Sequence, residues 1–173
     1  MIYFISDTHF GHNNIIPICE RSFSDTKEMD AYMIEKWNSV VTNNDKVYHL
    51  GDVSWGNKEY TQRILGTLHG TKYLIKGNHD RGRSNQWFRE VGFQEVYDHP
   101  IILTDTYFTL SHEPQDFTTP AGVNLFGHVH NSELYPTQTA HHFCVCVERH
   151  DYTPISMEHI NELFHVIKNN TQE

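Results

Sequence analysis

No apolar run in this 173-residue chain approaches the ~20 residues needed to span a bilayer, so no membrane-crossing helix is expected. A signal-peptide pattern is also missing. The chain opens directly on the apolar stretch Ile2 to Ile5, without a basic region before it or a small-residue cleavage pattern after a long apolar run. Cysteine is scarce: Cys19, Cys144 and Cys146 are odd in number and form no CxxC pair. Cys144 and Cys146 alternate along a β-like stretch, Phe143 to Val147, and buried packing is the role expected of them. With neither export signal nor disulfide pattern, the protein is expected to be cytoplasmic. Basic residues are in deficit too, 13 Lys and Arg against 22 Asp and Glu, for a formal net charge of −9. Such a surface repels a nucleic-acid backbone unless a local patch or a bound metal reverses the field. There is no internal repeat, low-complexity tract or linker. The length suits one domain, residues 1–173, burying roughly 68–70% of the surface its unfolded form exposes.

Histidine is plentiful, at 14 residues. That number raises the frequency of accidental pairs, and His69, His99, His141, His142, His150, His159 and His165 are read as this background. The other histidines, His12 apart, fall into a recurrent pattern. Leu74-Ile75-Lys76-Gly77-Asn78-His79-Asp80 is an apolar, strand-like run that ends at a glycine and is followed by three side chains able to coordinate, accept or donate. Taken alone, Gly-Asn is equally a turn signal. The arrangement recurs, however. Ile2 to Ile5 leads into Ser6-Asp7-Thr8-His9, and Val47 to Leu50, which includes His49, leads into Gly51-Asp52. Tyr107 to Leu110 leads into Ser111-His112, and Val123 to Phe126 leads into Gly127-His128-Val129-His130. Ligands gather outside the carboxyl ends of strands in open α/β sheets, so five runs ending this way point to one shared site. Imidazole, carboxylate and amide oxygen are ligands for borderline-hard cations, and no cysteine is among them.

Between these runs the periodicity turns helical. Asp25 and Glu28 fit an N-cap and capping box before Met29, Met33, Trp37 and Val40 or Val41, which predicts an amphipathic helix over about 25–41. Ile64, Leu65 and Leu68 mark a second helix ended near Gly70, and Trp87, Phe88 and Val91 a short third one closed by Gly92. From Phe93 onward, β-like runs at Glu95 to Tyr97, Pro100 to Leu103, Tyr107 to Leu110, Val123 to Phe126 and Phe143 to Val147 are separated by turns. They predict a second, more antiparallel sheet packed on the first. Met157, Ile160, Leu163, Phe164 and Ile167 give a last helix with Ser156 as its N-cap, and 169–173 is expected to fray.

Asp7-x-His9, Gly51-Asp52, Gly77-Asn78-His79-Asp80, His112 and Gly127-His128-x-His130 together resemble the calcineurin-like metallophosphoesterases, in that family's order, over about positions 5–130. The resemblance implies an α/β (α+β) fold, a four-layer αββα sandwich with two mixed β-sheets and a dinuclear metal site at the strand ends. Seven side chains would hold the two divalent ions. Asp7, His9, Asp52 and His130 match the ligands of one, and Asp52, Asn78, His112 and His128 those of the other, with Asp52 bridging. Mn²⁺, Fe²⁺, Zn²⁺, Ni²⁺ and Co²⁺ all suit such ligands, with Mn²⁺ slightly preferred. Two dications about 3.5–4 Å apart repel strongly, so a shared carboxylate and a bridging hydroxide are needed between them. That hydroxide is the implied nucleophile, and a phosphomonoester or small phosphodiester the implied small-molecule substrate.

His79 matches the family's proton donor to the leaving oxygen, or a clamp on phosphoryl charge. Asp80 could orient His79 or simply cap the turn. Asn78, Arg81 and His12, together with Arg83, Arg21 and Asn13, could line the substrate mouth, although each could equally be a solvated loop residue. Two departures stand out. Trp55 occupies the position, three residues after the bridging aspartate, where purple acid phosphatases have a metal-binding tyrosine. Related repair nucleases also carry a DNA-binding portion that nothing here supplies. A nuclease acting on DNA or RNA and a catalytically silent scaffold remain the alternatives.

Overall fold

A computed structural model describes residues 1–104, 106, 108–116 and 122–170, with side chains through Phe164. In chain order the elements are β1 (Ile2–Ile5), α1 (Ile15–Ile18), α2 (Thr26–Val40), β2 (Lys46–His49), α3 (Lys58–Thr67), β3 (Thr71–Ile75), α4 (Asn85–Val91), β4 (Phe93–Tyr97), β5 (Ile101–Leu103), β6 (Phe108–Leu110), β7 (Val123–Phe126), β8 (His142–Cys144), a 3₁₀ turn (Val147–Arg149), β9 (Ile155–Ser156) and α5 (Met157–Asn170). They form the expected mixed α/β fold with two mixed sheets. One sheet runs β4-β3-β2-β1-β9 and the other β5-β6-β7-β8.

Strand alternation decides what each face buries. Tyr3 and Ile5 of β1, Val47 of β2 and Leu74 of β3 pack against Met29, Met33 and Trp37 of α2, Ile64 and Leu65 of α3, and Phe88 and Val91 of α4. Their neighbours Phe4 and Ile75 point the other way. There they meet Phe108, Leu110, Leu125 and Phe143 of the second sheet and Ile160 and Phe164 of α5. Each such side chain contributes about 1.5–3 kcal/mol on full burial. Helix ends follow the expected chemistry: Asp25 accepts from the Glu28 N–H at 2.8 Å, and the Glu28 carboxylate returns to the Ser24 N–H at 2.8 Å. Ser156 accepts from the His159 N–H at 3.1 Å at the start of α5. All three cysteines are buried and unpaired.

Three expectations need correction. The run at Glu95 to Tyr97 belongs to the first sheet, because α4 carries the chain back over the helical face so that β4 lies parallel to β3. In the second sheet only β5 and β6 are antiparallel, while β6-β7 and β7-β8 are parallel. Hairpins need short turns, and the stretches 111–122 and 127–141 are long enough for crossovers instead. Finally, α5 runs through Asn170 rather than fraying at 169. Tyr107 and residues 171–173 lie outside the described residues.

Candidate metal centre

The sheet arrangement brings the five strand ends together. β1, β2 and β3 are adjacent and parallel, as are β6 and β7. The two sheets are joined at their carboxyl ends by a bridge between Ser6 and Cys146, with the Ser6 N–H donating to Val145 at 3.0 Å and the Val147 N–H to Ser6 at 3.2 Å. Asp7 and His9 follow β1, Asp52 follows β2, Asn78 follows β3, His112 follows β6, and His128 and His130 follow β7. All seven sequence-derived ligand candidates therefore face one another.

They fall into two groups around Asp52. His9 Nε2 lies 3.5 Å from Asp52 Oδ2, and His130 Nε2 lies 3.6 Å from Asp7 Oδ1. On the other side, His112 Nε2 lies 3.5 Å from the same Asp52 oxygen and 2.8 Å from Asn78 Oδ1, while His128 Nδ1 is 3.0 Å from Asn78 Oδ1 and 3.2 Å from His112 Nε2. Several of these atoms have another bond that fixes which nitrogen points inward. His112 donates through Nδ1 to the Leu50 carbonyl at 2.7 Å, and His130 through Nδ1 to Glu148 at 2.9 Å. Each turns Nε2 inward, the usual orientation of a metal-binding histidine.

Two polar atoms at the heart of the cluster have nothing to bond. Asp7 Oδ2 accepts from the His128 N–H at 2.8 Å, but Asp7 Oδ1 and His9 Nε2 are buried without a hydrogen-bond partner. Burial holds the His9 imidazole neutral, with a pKa lowered to about 2, to which the His130 and Arg21 charges also contribute. Burial pushes the Asp52 carboxyl up to about 7, and the charges of Asp7 and Asp80 push the same way. Asp7 keeps its charge, at about 2, because its histidine neighbours, His112 and His130 foremost, outweigh its burial. A buried carboxylate oxygen and a buried imidazole nitrogen left without partners are satisfied when cations lie among them. The nitrogen and oxygen donor set fits divalent ions of the borderline-hard kind.

The other proposed site residues are placed as follows. His79 is half-exposed at the rim, its backbone N–H donating to Asp52 Oδ1 at 3.0 Å and its Nε2 4.0 Å from Asp52 Oδ2. Asp80 does not orient it. The buried Asp80 carboxylate accepts instead from the N–H groups of Asp52 (2.7 Å), Gly77 (3.0 Å) and Val53 (3.2 Å), clamping two ligand loops together. Arg21 does not line the mouth either. It is buried behind it, donating to the carbonyls of Asp7 (2.7 Å) and Thr8 (3.0 Å) and pairing with Glu148 at 2.6 Å. Arg83 is turned away and holds the carbonyls of Ser54 and Gly56, both at 2.7 Å. Arg81 is exposed and pairs with Glu113 at 3.2 Å, beside a cleft of about 410 Å³ that Glu113 shares with His128 and Tyr135. Asn13 is exposed, and His12 lies with its Nδ1 3.4 Å from that of His9.

Two further residues support the centre from behind. Glu148 fixes His130, as above. His49 is fully buried, accepting from the Gly51 N–H at 3.2 Å and standing 2.9 Å from Thr8 Oγ1, which itself donates to the Val53 carbonyl at 2.8 Å. With Nδ1 accepting, His49 Nε2 carries the proton and donates to Thr8. It thus ties the Asp7-His9 loop to the Asp52 loop. The position of His49 inside a strand run was visible in the sequence. Nothing near Glu148 marked it out.

An α/β fold that ends five strands on a cluster of Asp, Asn and His defines a class of metal-dependent hydrolase. The chain belongs to the calcineurin-like phosphoesterase family, whose model matches residues 1–151. It is similar to an uncharacterized protein of Methanocaldococcus jannaschii, 35% identical over 168 residues that make up 94% of this chain and 90% of that protein. The Gene 66 protein of Mycobacterium phage L5 is 40% identical over 81 residues, which are 45% of this chain and 39% of the phage protein. The crystal structure of a protein of unknown function from Aquifex aeolicus matches with a TM-score of 0.72 at 30% identity, over 94% of this chain and 98% of that one. Family membership supports a metal-dependent phosphoesterase acting on phosphate esters. No helix among the described residues is long and apolar enough to cross a membrane.

Proposed function

We propose that the protein hydrolyses a phosphomonoester or a small phosphodiester at a dinuclear centre. Asp7, His9, Asp52 and His130 would hold one divalent ion and Asp52, Asn78, His112 and His128 the other, Mn²⁺ being the first choice. When bound, such a pair supplies Lewis-acid stabilisation of phosphoryl charge and activates water at neutral pH. The observation that carries this reading is the convergence of Asp, Asn and His side chains from five strand ends, with Asp7 Oδ1 and His9 Nε2 buried and unpartnered.

His79 is the proton donor to the leaving oxygen. Its backbone bond to Asp52 fixes it at the rim, and its half-exposed ring can reach an ester lying across the centre. Arg81, exposed beside the cleft, can turn from Glu113 to a phosphate oxygen, and Asn78 can orient the phosphoryl group. The acidic surface favours a small substrate over a nucleic-acid backbone. The three unpaired thiols support a cytoplasmic location.

The test is a turnover screen of nucleotides, cyclic nucleotides, sugar phosphates and bis-p-nitrophenyl phosphate on metal-stripped protein, each divalent ion being added back in turn. His79→Ala should retain two metals per chain and lose about 10²–10⁴-fold in kcat. Full turnover by Asp52→Asn with both metals bound would refute the assignment, and salt-sensitive cleavage of an oligonucleotide would favour a nuclease.

A further inference from the structure

Beside the centre stands an indole that no step so far employs. Trp55 is 49% exposed although it is large and apolar. It is also held rigidly. His12 stacks on one of its faces, with ring centroids 4.1 Å apart and planes 8° from parallel. The Trp55 N–H donates to Phe10 at 2.9 Å, and the Ser54 hydroxyl donates to the same carbonyl at 3.1 Å. Arg83 then binds the carbonyls of both neighbours of Trp55 at 2.7 Å, which is the task the structure gives to that arginine. A backbone pinned on both sides and a ring locked by a stacked imidazole have lost their entropy before any ligand arrives, and such preorganisation favours binding.

The position of the ring gives it a role. His79 meets Trp55 in a T-shaped arrangement, with centroids 4.9 Å apart at 62°, and His9 lies 6.4 Å away. An oxygen that takes its proton from His79 must sit within hydrogen-bond reach of it, so the group attached to that oxygen begins at the indole. We propose that Trp55, backed by His12, is a stacking platform for a planar aromatic ring on the leaving side of the phosphate ester. The substrates of this site are then esters bearing a nucleobase or other flat ring, in preference to sugar or alkyl phosphates. This rests on the phosphoesterase reading and on His79 as proton donor.

Base–aromatic stacking is worth ~1–3 kcal/mol, or ~5- to 140-fold in a binding constant. Adenosine 5′-monophosphate and ribose 5-phosphate have the same reacting phosphate and differ in the ring. On Mn²⁺-loaded protein, Kd (or KM where the ester is turned over) should favour the adenosine ester by about that factor. Its binding should also quench indole emission, which ribose 5-phosphate should not do. In Trp55→Leu the preference should fall to within about twofold, whereas Trp55→Phe should keep most of it. Tyr135→Leu, which removes the exposed ring of the neighbouring cleft, should leave the preference in place. Equal binding of the two esters by the native protein, or a preference that survives Trp55→Leu, overturns the platform while leaving the phosphoesterase standing. If inorganic phosphate and both esters all fail to bind, the phosphoesterase reading falls and the platform with it.

Discussion

Replacing Glu148 with glutamine separates what the fold builds from what a cation would build. Glu148 Oε1 accepts from His130 Nδ1 at 2.9 Å and from Arg21 Nε and Nη2 at 3.0 and 2.6 Å. The Arg21 side chain is wholly buried, and Glu148 nearly so. Glutamine keeps the shape and one acceptor but removes the charge. Its amide nitrogen would take the place of Oε2, which has no partner to receive a donor. Removing one partner of a buried ion pair costs about 3–5 kcal/mol. Here an acceptor remains, and Arg21 retains the carbonyls of Asp7 and Thr8, so the expected loss is about 2–3 kcal/mol. In a protein of this size that lowers Tm by about 4–12 °C. The same carboxylate orients His130, and losing such an outer partner typically weakens a metal ~10- to 100-fold. The effect should be one-sided, because His130 faces Asp7 and His9 but not Asn78 and His112. A Mn²⁺ titration of Glu148→Gln, followed by calorimetry, should show one weakened step and one native-like step. Equal weakening of both steps, or an unchanged titration with Tm within about 2 °C of native, would refute the reasoning.

Three other outcomes follow from the same contacts. Asp80→Asn should cost about 2–4 kcal/mol in urea unfolding, because one backbone N–H loses its acceptor and two lose charge assistance; a change under about 0.5 kcal/mol would show that the clamp contributes nothing. Gly77→Ala would place a methyl group 2.2 Å from Asp52 Oδ1 and 2.7 Å from its N–H nitrogen, and should destabilise by about 1–3 kcal/mol and weaken metal binding at least ~10-fold, read by the same titration. Lys72 is buried, and burial lowers its pKa from 10.5 to about 8, against the pull of the Leu68 and Gly70 carbonyls at 2.7 and 2.9 Å. Between those values the unfolded chain binds more protons than the native one, so stability should rise with pH from about 8 to 10.5, by about 1–3 kcal/mol. Urea unfolding across that range should show the rise in the native protein and lose it in Lys72→Met.

The strand ends were legible because two signals coincide there: an apolar run of period two, and Asp, Asn or His immediately after the small residue that stops it. Helix α2 was legible for a similar reason, since its apolar spacing and its cap at Asp25 and Glu28 agree. Strand partnership was not legible. Glu95 to Tyr97 has the same local pattern wherever it pairs, and only the packing of α4 against the first sheet assigns it there. Charged side chains were the least legible. Arg21, Arg81 and Arg83 all lie near ligand motifs in sequence, yet Arg21 turns inward to backbone carbonyls, Arg83 to the Trp55 turn, and only Arg81 reaches solvent at the rim. A long side chain leaves its direction to the tertiary fold, and no spacing rule fixes it.

Five of the candidate ligands sit in the left-handed backbone region, which few residues other than glycine enter: Asp7 (φ 61°), His9 (49°), Asp52 (58°), His128 (71°) and His130 (48°). Each such residue costs of order 1–3 kcal/mol, and the cost persists only where the surroundings impose it. Asp80, Arg21 and His49 are those surroundings for the first sheet. They bond backbone groups, Thr8 and, from Arg21, Glu148 rather than ligand side chains, and each joins a ligand loop to another part of the chain. Their acceptors and donors are buried protein atoms, so the cradle around Asp7, His9 and Asp52 is held by the fold itself. A centre held in this way presents its ligand candidates in place, which suits the two-ion site proposed above. It also explains why three polar residues that touch no cation or substrate are buried beneath it.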